Sequence, residues 1–306
     1  MVQAHRIKTI AIVGCTAVGK SATALKLAKL FDGVLIGADS MQIYRGFDIG
    51  TGKLTKAECG NTEHKLIDVA DGDADFSVGE YVELAGKEIE SAANRGKLPI
   101  VVGGTGLYVN ALFSGSDFAC APKNAEIRTK LKIMSHFFGP RTMHALLSFV
   151  DKASADKIAA NDGKRVIRAL EIYSIGGKPK SEAASGTKPY DDLTIVLTLP
   201  RELLYERINS RVKQMFDDGL ADEARSLMRY KNCGSMQALG YKQIAANPDA
   251  PRSEIEPIVA QKTRNYAKRQ MTYFKNMKLN KVFIDVRNYD DIVKCVEKFL
   301  RNNDHE

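Results

Sequence analysis

The chain has 306 residues, 44% hydrophobic, and 45 Lys and Arg outnumber 37 Asp and Glu to give a net charge of +8. That excludes a disordered chain and permits one large α/β domain or two domains. No apolar run approaches the roughly 20 residues that cross a bilayer, and five scattered cysteines without a Cys-x-x-Cys pair exclude a zinc framework.

The opening apolar run is too short for a signal peptide, so a cytoplasmic protein without a membrane partner is expected. "TIAIVG" (9–14) reads as a buried strand closed by glycine. Residues 20–30 then read as a helix with Leu25, Leu27, Ala28 and Leu30 on its apolar side. "GVLIGADS" (33–40) is a second buried strand ending in an acid, and 78–94 is an amphipathic helix. "LPIVVGG" (98–104), "LTIVLTLP" (193–200) and "KVFIDV" (281–286) complete five strands, with helical patterns over 201–230, 253–277 and 289–301. Such alternation predicts an α/β fold, a parallel sheet flanked by helices on both faces, and the loop Gly14-Cys15-Thr16-Ala17-Val18-Gly19-Lys20-Ser21 between its first strand and first helix makes the expectation P-loop NTPase-like.

Residues 119–190 break the alternation. They carry 13 Lys and Arg against 6 Asp and Glu, contain no convincing strand, and end in "GGKPKSEAASGTKPY", which reads as an exposed loop. The expectation is a helical insertion domain at 119–190, set into a core domain made of 1–118 and 191–306. The stretch 261–278 adds six basic residues and no acid, with Tyr266, Tyr273 and Phe274 among them. It reads equally as an RNA face or as a solvated basic side.

The run Gly14-Cys15-Thr16-Ala17-Val18-Gly19-Lys20-Ser21 meets the pattern G-x-x-x-x-G-K-[ST] of nucleotide- and ATP-binding proteins. Small residues let successive N–H groups turn inward around an anion, and a helix starting at Lys20 adds its positive end. Lys20 brings a mobile charge, and Ser21 can ligate Mg²⁺. A kinase or hydrolase needs a further acid on a neighbouring strand to position that metal. The third strand offers only Gly103-Gly104-Thr105-Gly106; Asp39 is the one acid at a strand's C-terminal end near the loop. Ligands bind outside those strand ends, so Asp39, Thr105 and the loop are expected to converge. Asp39 then serves as a base or as a metal partner through water, unless it only caps a turn. His64 and His136 stand alone in the sequence and read as surface or satisfied residues.

Further motifs occur in order: "ADSMQIYRGFDIGTGK" (38–53), "HKLIDV" (64–69), "VVGGTGLYVNAL" (101–112), "KRVIRALEIY" (164–173), "LPRELLYERINSRVKQM" (199–215), "ALGYKQI" (238–244) and "TRNYAKRQMTYF" (263–274). Together with the loop they resemble the bacterial-type tRNA dimethylallyltransferases, also called tRNA isopentenyltransferases, over about residues 8 to 290. The resemblance implies that the loop holds the diphosphate of dimethylallyl diphosphate. The prenyl group then goes to the exocyclic N6 amine of the adenosine 3′ to the anticodon. Asp39 is implied as the base, with Thr105 beside the reacting centre and Arg211 clamping the diphosphate with Lys20. The tRNA anticodon stem-loop is implied to touch Asp39, Ser40, Met41, Gln42, Thr105, Arg128, Lys164, Arg165, Val166, Ile167, Arg168, Gln237, Ala238, Leu239, Gly240, Tyr241 and Lys242. The insertion domain then binds tRNA, and a monomer is expected. Cys15 stands where the family usually has proline, and "GTGK" replaces the commoner "GTAK"; both glycines of the loop, the lysine and the serine remain.

Three rivals stay open at this level. A small-molecule kinase requires a nucleotide, and an adenylate isopentenyltransferase needs no tRNA. A non-catalytic RNA-binding module has no use for Lys20, Ser21, Asp39 and Arg211 together.

Overall fold

The computed structural model describes residues 6–115, 124–182 and 188–302. It divides into two compact units, Met1–Ser114 with Lys188–Glu306, and Gly115–Thr187.

The first unit is built on a six-stranded, all-parallel sheet ordered β3-β2-β4-β1-β5-β6. The strands are β1 (Lys8–Gly14), β2 (Gly33–Gly37), β3 (His64–Lys65), β4 (Leu98–Gly103), β5 (Asp191–Thr198) and β6 (Lys281–Asp285). Because side chains alternate along a strand, β1 feeds two cores. Ile10 and Ile12 join Ile100, Val102, Ile195 and Leu197 on one face, while Ala11 and Val13 join Ile36, Val101 and Val196 on the other. That double burial is why the strands read as unbroken apolar runs.

Helices α1 (Lys20–Leu30), α2 (Lys56–Cys59), α3 (Val78–Asn94) and α4 (Gly106–Phe113) lie in the first half of this unit. Its second half supplies α8 (Arg201–Asp217), α9 (Leu220–Ser226), α10 (Tyr241–Ala246), α11 (Arg252–Asn276) and α12 (Tyr289–Arg301). A capping box starts α3: Glu80 N–H donates to Ser77 Oγ at 3.2 Å and Ser77 N–H to Glu80 Oε2 at 2.7 Å. Lys8 Nζ donates to the carbonyls of Phe299, Leu300 and Asn302 and so closes the open end of α12.

Three sequence readings shift. Strand β3 has only two residues, too short to show a period. The second strand ends at Gly37, and Ala38 leaves the ladder to bond β4 and Thr105. The helical pattern at 201–230 breaks at Gly219, whose φ of 99° is left-handed, and continues as α9.

The second unit holds α5 (Ala125–Val150), α6 (Lys152–Ala155) and α7 (Gly163–Gly176). Gly139 (φ 76°, ψ 167°) and Pro140 break α5 in two. Its core is small: Leu131, Met143, Leu147, Ala155, Val166, Ala169 and Leu170. The tail expected to be an exposed loop begins inside α7 and makes a 3₁₀ turn at Lys180–Glu182. Ser181 is tied there to the buried Asp151 through its N–H at 3.1 Å and its hydroxyl at 2.6 Å. The expected boundary at 118/119 and residues 183–187 of that loop lie outside the described residues, while Tyr190 packs in the core of the first unit. Among the described residues no helix is long and apolar enough to cross a membrane.

Candidate active site

The loop from β1 to α1 is shaped by close approach. A Cβ on Gly14 would stand 2.8 Å from the Leu197 carbonyl oxygen, so only glycine lets β1 turn beside β5. Gly19 precedes α1 with no side-chain cap, and the first turn of α1 carries no acid. The N–H groups there keep their capacity for an anion. One donor is already committed: Thr16 N–H donates to Gln270 Oε1 at 2.9 Å.

That glutamine joins the site from far along the chain. Gln270 lies on α11, is 6% exposed, and donates through Nε2 to the Gly104 carbonyl at 2.9 Å. It therefore pins the phosphate loop to the end of β4. Nothing in its spacing marked it; only its place in a basic helical run did.

Lys20, Ser21, Asp39, Arg211 and Gln270 line one cavity of about 380 Å³. A Cβ built on Gly104 would meet Gln270 Nε2 at 2.5 Å, Lys20 Nζ at 3.6 Å and Asp39 Oδ2 at 3.7 Å. The absent side chain of Gly104 thus leaves the space where ammonium and carboxylate face each other. Asp39 Oδ1 accepts the Met41 N–H at 3.0 Å, which leaves Oδ2 for an acceptor molecule. Thr105 stands one layer back: its Oγ1 accepts the Ser40 N–H at 2.9 Å and donates to Ser40 Oγ at 3.2 Å. Ser40 lines the cavity and Thr105 does not, so Thr105 acts on the cavity through Ser40.

Charge in this cavity is one-sided. Burial pulls the Lys20 ammonium down to about 8, Asp39 and Cys15 pull it back up, and Arg211 lowers it further. Burial also lowers Arg211, with Asp39 opposing. Among the described residues neither cation has a carboxylate within ion-pair distance; Lys20 Nζ donates to the Cys15 carbonyl at 2.9 Å instead. A Cβ on Gly52 would lie 1.7 Å from Arg211 Nη2, so the guanidinium rests directly on that backbone. Burial raises the Cys15 thiol and keeps it neutral, as it keeps neutral the His64 imidazole, lowered to about 4. His64 also lines the cavity, with a buried Nε2 that has no hydrogen-bond partner among the described residues. A second, wider cavity of about 970 Å³ shares Lys20, Ser21 and Arg211 with the first. These three groups line both cavities.

Much of the 38–53 block holds itself in place. Glu223 accepts the Ile49 N–H at 3.0 Å and the Tyr241 hydroxyl, and Gln42 Nε2 donates to the carbonyls of Thr51 and Gly52. Lys53 Nζ bridges Asp48 at 2.7 Å and Asp68 at 2.5 Å. Met41, Gln42, Gln237, Ala238 and Leu239 line the first cavity. Gly240 closes on Gln243 at 2.9 Å, Lys242 is exposed, and Tyr241 is fully buried with its hydroxyl also accepting the Gly50 N–H at 3.0 Å. Tyr241 is thus a packing residue beside the site. On α11, Tyr266, Arg269 and Gln270 face the cavity, Arg269 lying over the Tyr266 ring at 5.7 Å, while Phe274 belongs to the core.

The second unit arranges its cations differently. Glu171 is fully buried and is bracketed by Arg128 at 2.7 Å and Arg168 at 3.0 Å. Burial pushes its carboxyl up, but bonds from Arg128, the Asn124 N–H and Arg168 prevail and hold it below the usual range. Lys164 and Arg165 are exposed on α7, Ile167 is half-buried, and Val166 faces the core.

No cluster of three His, Cys, Asp or Glu suited to a metal occurs among the described residues. Ser21 and Asp39 line the same cavity, and a hydroxyl and a carboxylate are oxygen ligands suited to a hard cation that keeps its waters and is shared with a phosphate ligand.

A sequence model described as "IPP transferase" matches residues 42–277. The phosphate loop lies before that match, but relatives cover it. The "tRNA dimethylallyltransferase" of Thermoanaerobacter sp. (strain X514) is 41% identical, covering 96% of this chain and 98% of its own. That of Halalkalibacterium halodurans is 41% identical over 95% of each. The crystal structure of the full-length tRNA isopentenylpyrophosphate transferase from Bacillus halodurans superposes with a TM-score of 0.71 at 38% identity, covering 96% of this chain and 97% of that one. Crystallographic snapshots of a eukaryotic dimethylallyltransferase acting on tRNA give a TM-score of 0.84 at 26% identity, covering 98% of this chain and 81% of that one.

Proposed function

The chain belongs to the IPP transferase family, and on that footing we propose that it is a tRNA-prenylating enzyme. It transfers the dimethylallyl group of dimethylallyl diphosphate to the exocyclic N6 amine of the adenosine 3′ to the anticodon, releasing diphosphate. The observation that carries this reading is the convergence on one cavity of Asp39 with Lys20 and Arg211, two cations without carboxylate partners among the described residues.

The chemistry follows from those positions. The allylic C–O bond breaks as the N6–C bond forms, and negative charge grows on the departing diphosphate. Lys20, Arg211 and the N–H groups opening α1 stabilise that charge. Ser21 would hold a Mg²⁺ ion shared with the diphosphate, and such an ion would supply further charge neutralisation. An adenine amine is a weak nucleophile because its lone pair is shared with the ring, so its proton must leave as the new bond forms. Asp39 Oδ2 receives it. Ser40, fixed by Thr105, and Gln42 line the same cavity as that carboxylate and orient the base. Lys20 and Arg211 line both cavities, which supports a donor held in one and an acceptor in the other.

A base taken out of a stacked loop must be offset by contacts elsewhere on the RNA. Those contacts are assigned to the 237–242 segment, to the basic residues around α11, and to the helical insertion with Lys164 and Arg165. The enzyme acts as a monomer in the cytoplasm.

The test is a transfer assay. Purified protein, Mg²⁺ and labelled dimethylallyl diphosphate are offered unmodified tRNA or AMP, with ATP alone as a control. Label should enter tRNA only. Label in AMP means an adenylate isopentenyltransferase, and ATP consumption without transfer means a kinase.

A further inference from the structure

Among the described residues of the second unit, the largest exposed apolar side chains lie within α5, on both sides of its break. On α5, Ile133 is 52% exposed, Phe137 77%, Phe138 61% and Phe149 88%. Ile133 and Phe137, like Met134 and Phe138, stand four residues apart and so are neighbours on the helix. Phe137 and Phe138 end its first half, immediately before the break at Gly139. The His136 ring stands edge-on to Phe137 at 5.6 Å. A lone exposed phenylalanine needs no explanation; an aromatic pair beside Ile133 and Met134 marks a surface with a use.

Charge decides what that use is. From residue 127 to residue 150 the chain has no Asp or Glu, but it has Arg128, Lys130, Lys132, Arg141, His136 and His144. Arg128 is committed to Glu171 and Lys130 to Glu126. Lys132 and Arg141 are exposed on either side of the aromatic pair. Apolar protein interfaces are depleted in lysine. Surfaces that hold single-stranded RNA pair aromatic faces with basic side chains, because every base offers a face to stack on.

We propose that Phe137 and Phe138 form a stacking platform for unpaired bases of the RNA substrate, with Lys132 and Arg141 on the adjoining phosphates. This rests on the tRNA reading above and names a part of the RNA surface that it leaves open.

The chain contains no tryptophan, so Phe137→Trp introduces a single indole. Titration with unmodified tRNA should quench its emission to saturation. The double variant Phe137→Ala/Phe138→Ala removes only exposed side chains, and circular dichroism checks its fold. Its KM for tRNA should rise about tenfold or more, with the salt dependence of binding unchanged. Lys132→Ala/Arg141→Ala should instead flatten the log–log salt slope by roughly 0.7 for each phosphate no longer neutralised. No quenching, together with an unchanged KM for tRNA in an active enzyme, overturns the platform. So does self-association in sedimentation that vanishes in the double variant, which makes the patch a protein interface. A wild-type chain that neither binds nor prenylates tRNA overturns the function itself, and the platform with it.

Discussion

Two pairs of cations distinguish the two units. In the first unit Lys20 and Arg211 share a cavity with no carboxylate in ion-pair distance among the described residues, and burial lowers both. In the second unit Arg128 and Arg168 close on a single buried carboxylate, Glu171. The first arrangement holds positive charge ready for an anion that arrives from outside. The second uses it internally, on the packing of α5 against α7. Basic residues alike in sequence therefore have opposite uses, and only their partners tell them apart.

The comparison breaks first at Asp39. Asp39→Ala should lower the single-turnover transfer rate by about 10²- to 10⁴-fold, while equilibrium binding of dimethylallyl diphosphate stays within about tenfold. Full activity in that variant removes Asp39 as the base. Next come the waiting cations. Lys20→Ala or Arg211→Ala should cost about 10²- to 10³-fold in kcat/KM for the donor and leave tRNA affinity nearly intact. A loss confined to tRNA affinity would place Arg211 on the wrong substrate.

On the other side of the comparison, Glu171→Gln leaves two guanidinium groups facing each other. Breaking a buried pair costs about 3–5 kcal/mol, and the partial exposure of both arginines brings the expected loss toward roughly 3 kcal/mol. Thermal unfolding should show it, with donor affinity unchanged. An unaltered melt means that the triad carries no stability.

The smallest effect is in pH. On the proposed function Lys20 meets the diphosphate as the ammonium, and without the diphosphate that form is lost as pH rises through about 8. Thus kcat/KM for the donor should be full below that pH and fall above it. The bound diphosphate favours the ammonium, so the limb in kcat should move higher. A flat profile from pH 7 to 10 contradicts this.

The sheet was legible because β1, β2, β4 and β5 are apolar runs buried on both faces and the edge strand β6 keeps an apolar run although Val282 and Phe283 are exposed, and Gly14 to Ser21 carry their geometry in their spacing. Asp39 could be found because it follows a strand. Gln270 could not: its bonds to Thr16 and Gly104 span 254 and 166 residues. Thr105 reads as a site residue but reaches the cavity only through Ser40. Tyr241 shares a motif with cavity residues yet points into the core, since one short motif holds packing residues and cavity residues side by side. The break of 201–230 at Gly219 was hidden by helical periodicity on both sides. Glu171 sits within a long helical pattern, and nothing in that pattern shows that it pairs with both Arg128 and Arg168.

The most direct test of the central claim is calorimetric titration of the Mg²⁺-supplemented protein with dimethylallyl diphosphate and, separately, with ATP. Saturable binding of the prenyl diphosphate, weakened at least about a hundredfold in Lys20→Ala and Arg211→Ala, is the result expected. Tight binding of ATP with none of the prenyl diphosphate, or donor binding indifferent to both substitutions, contradicts it.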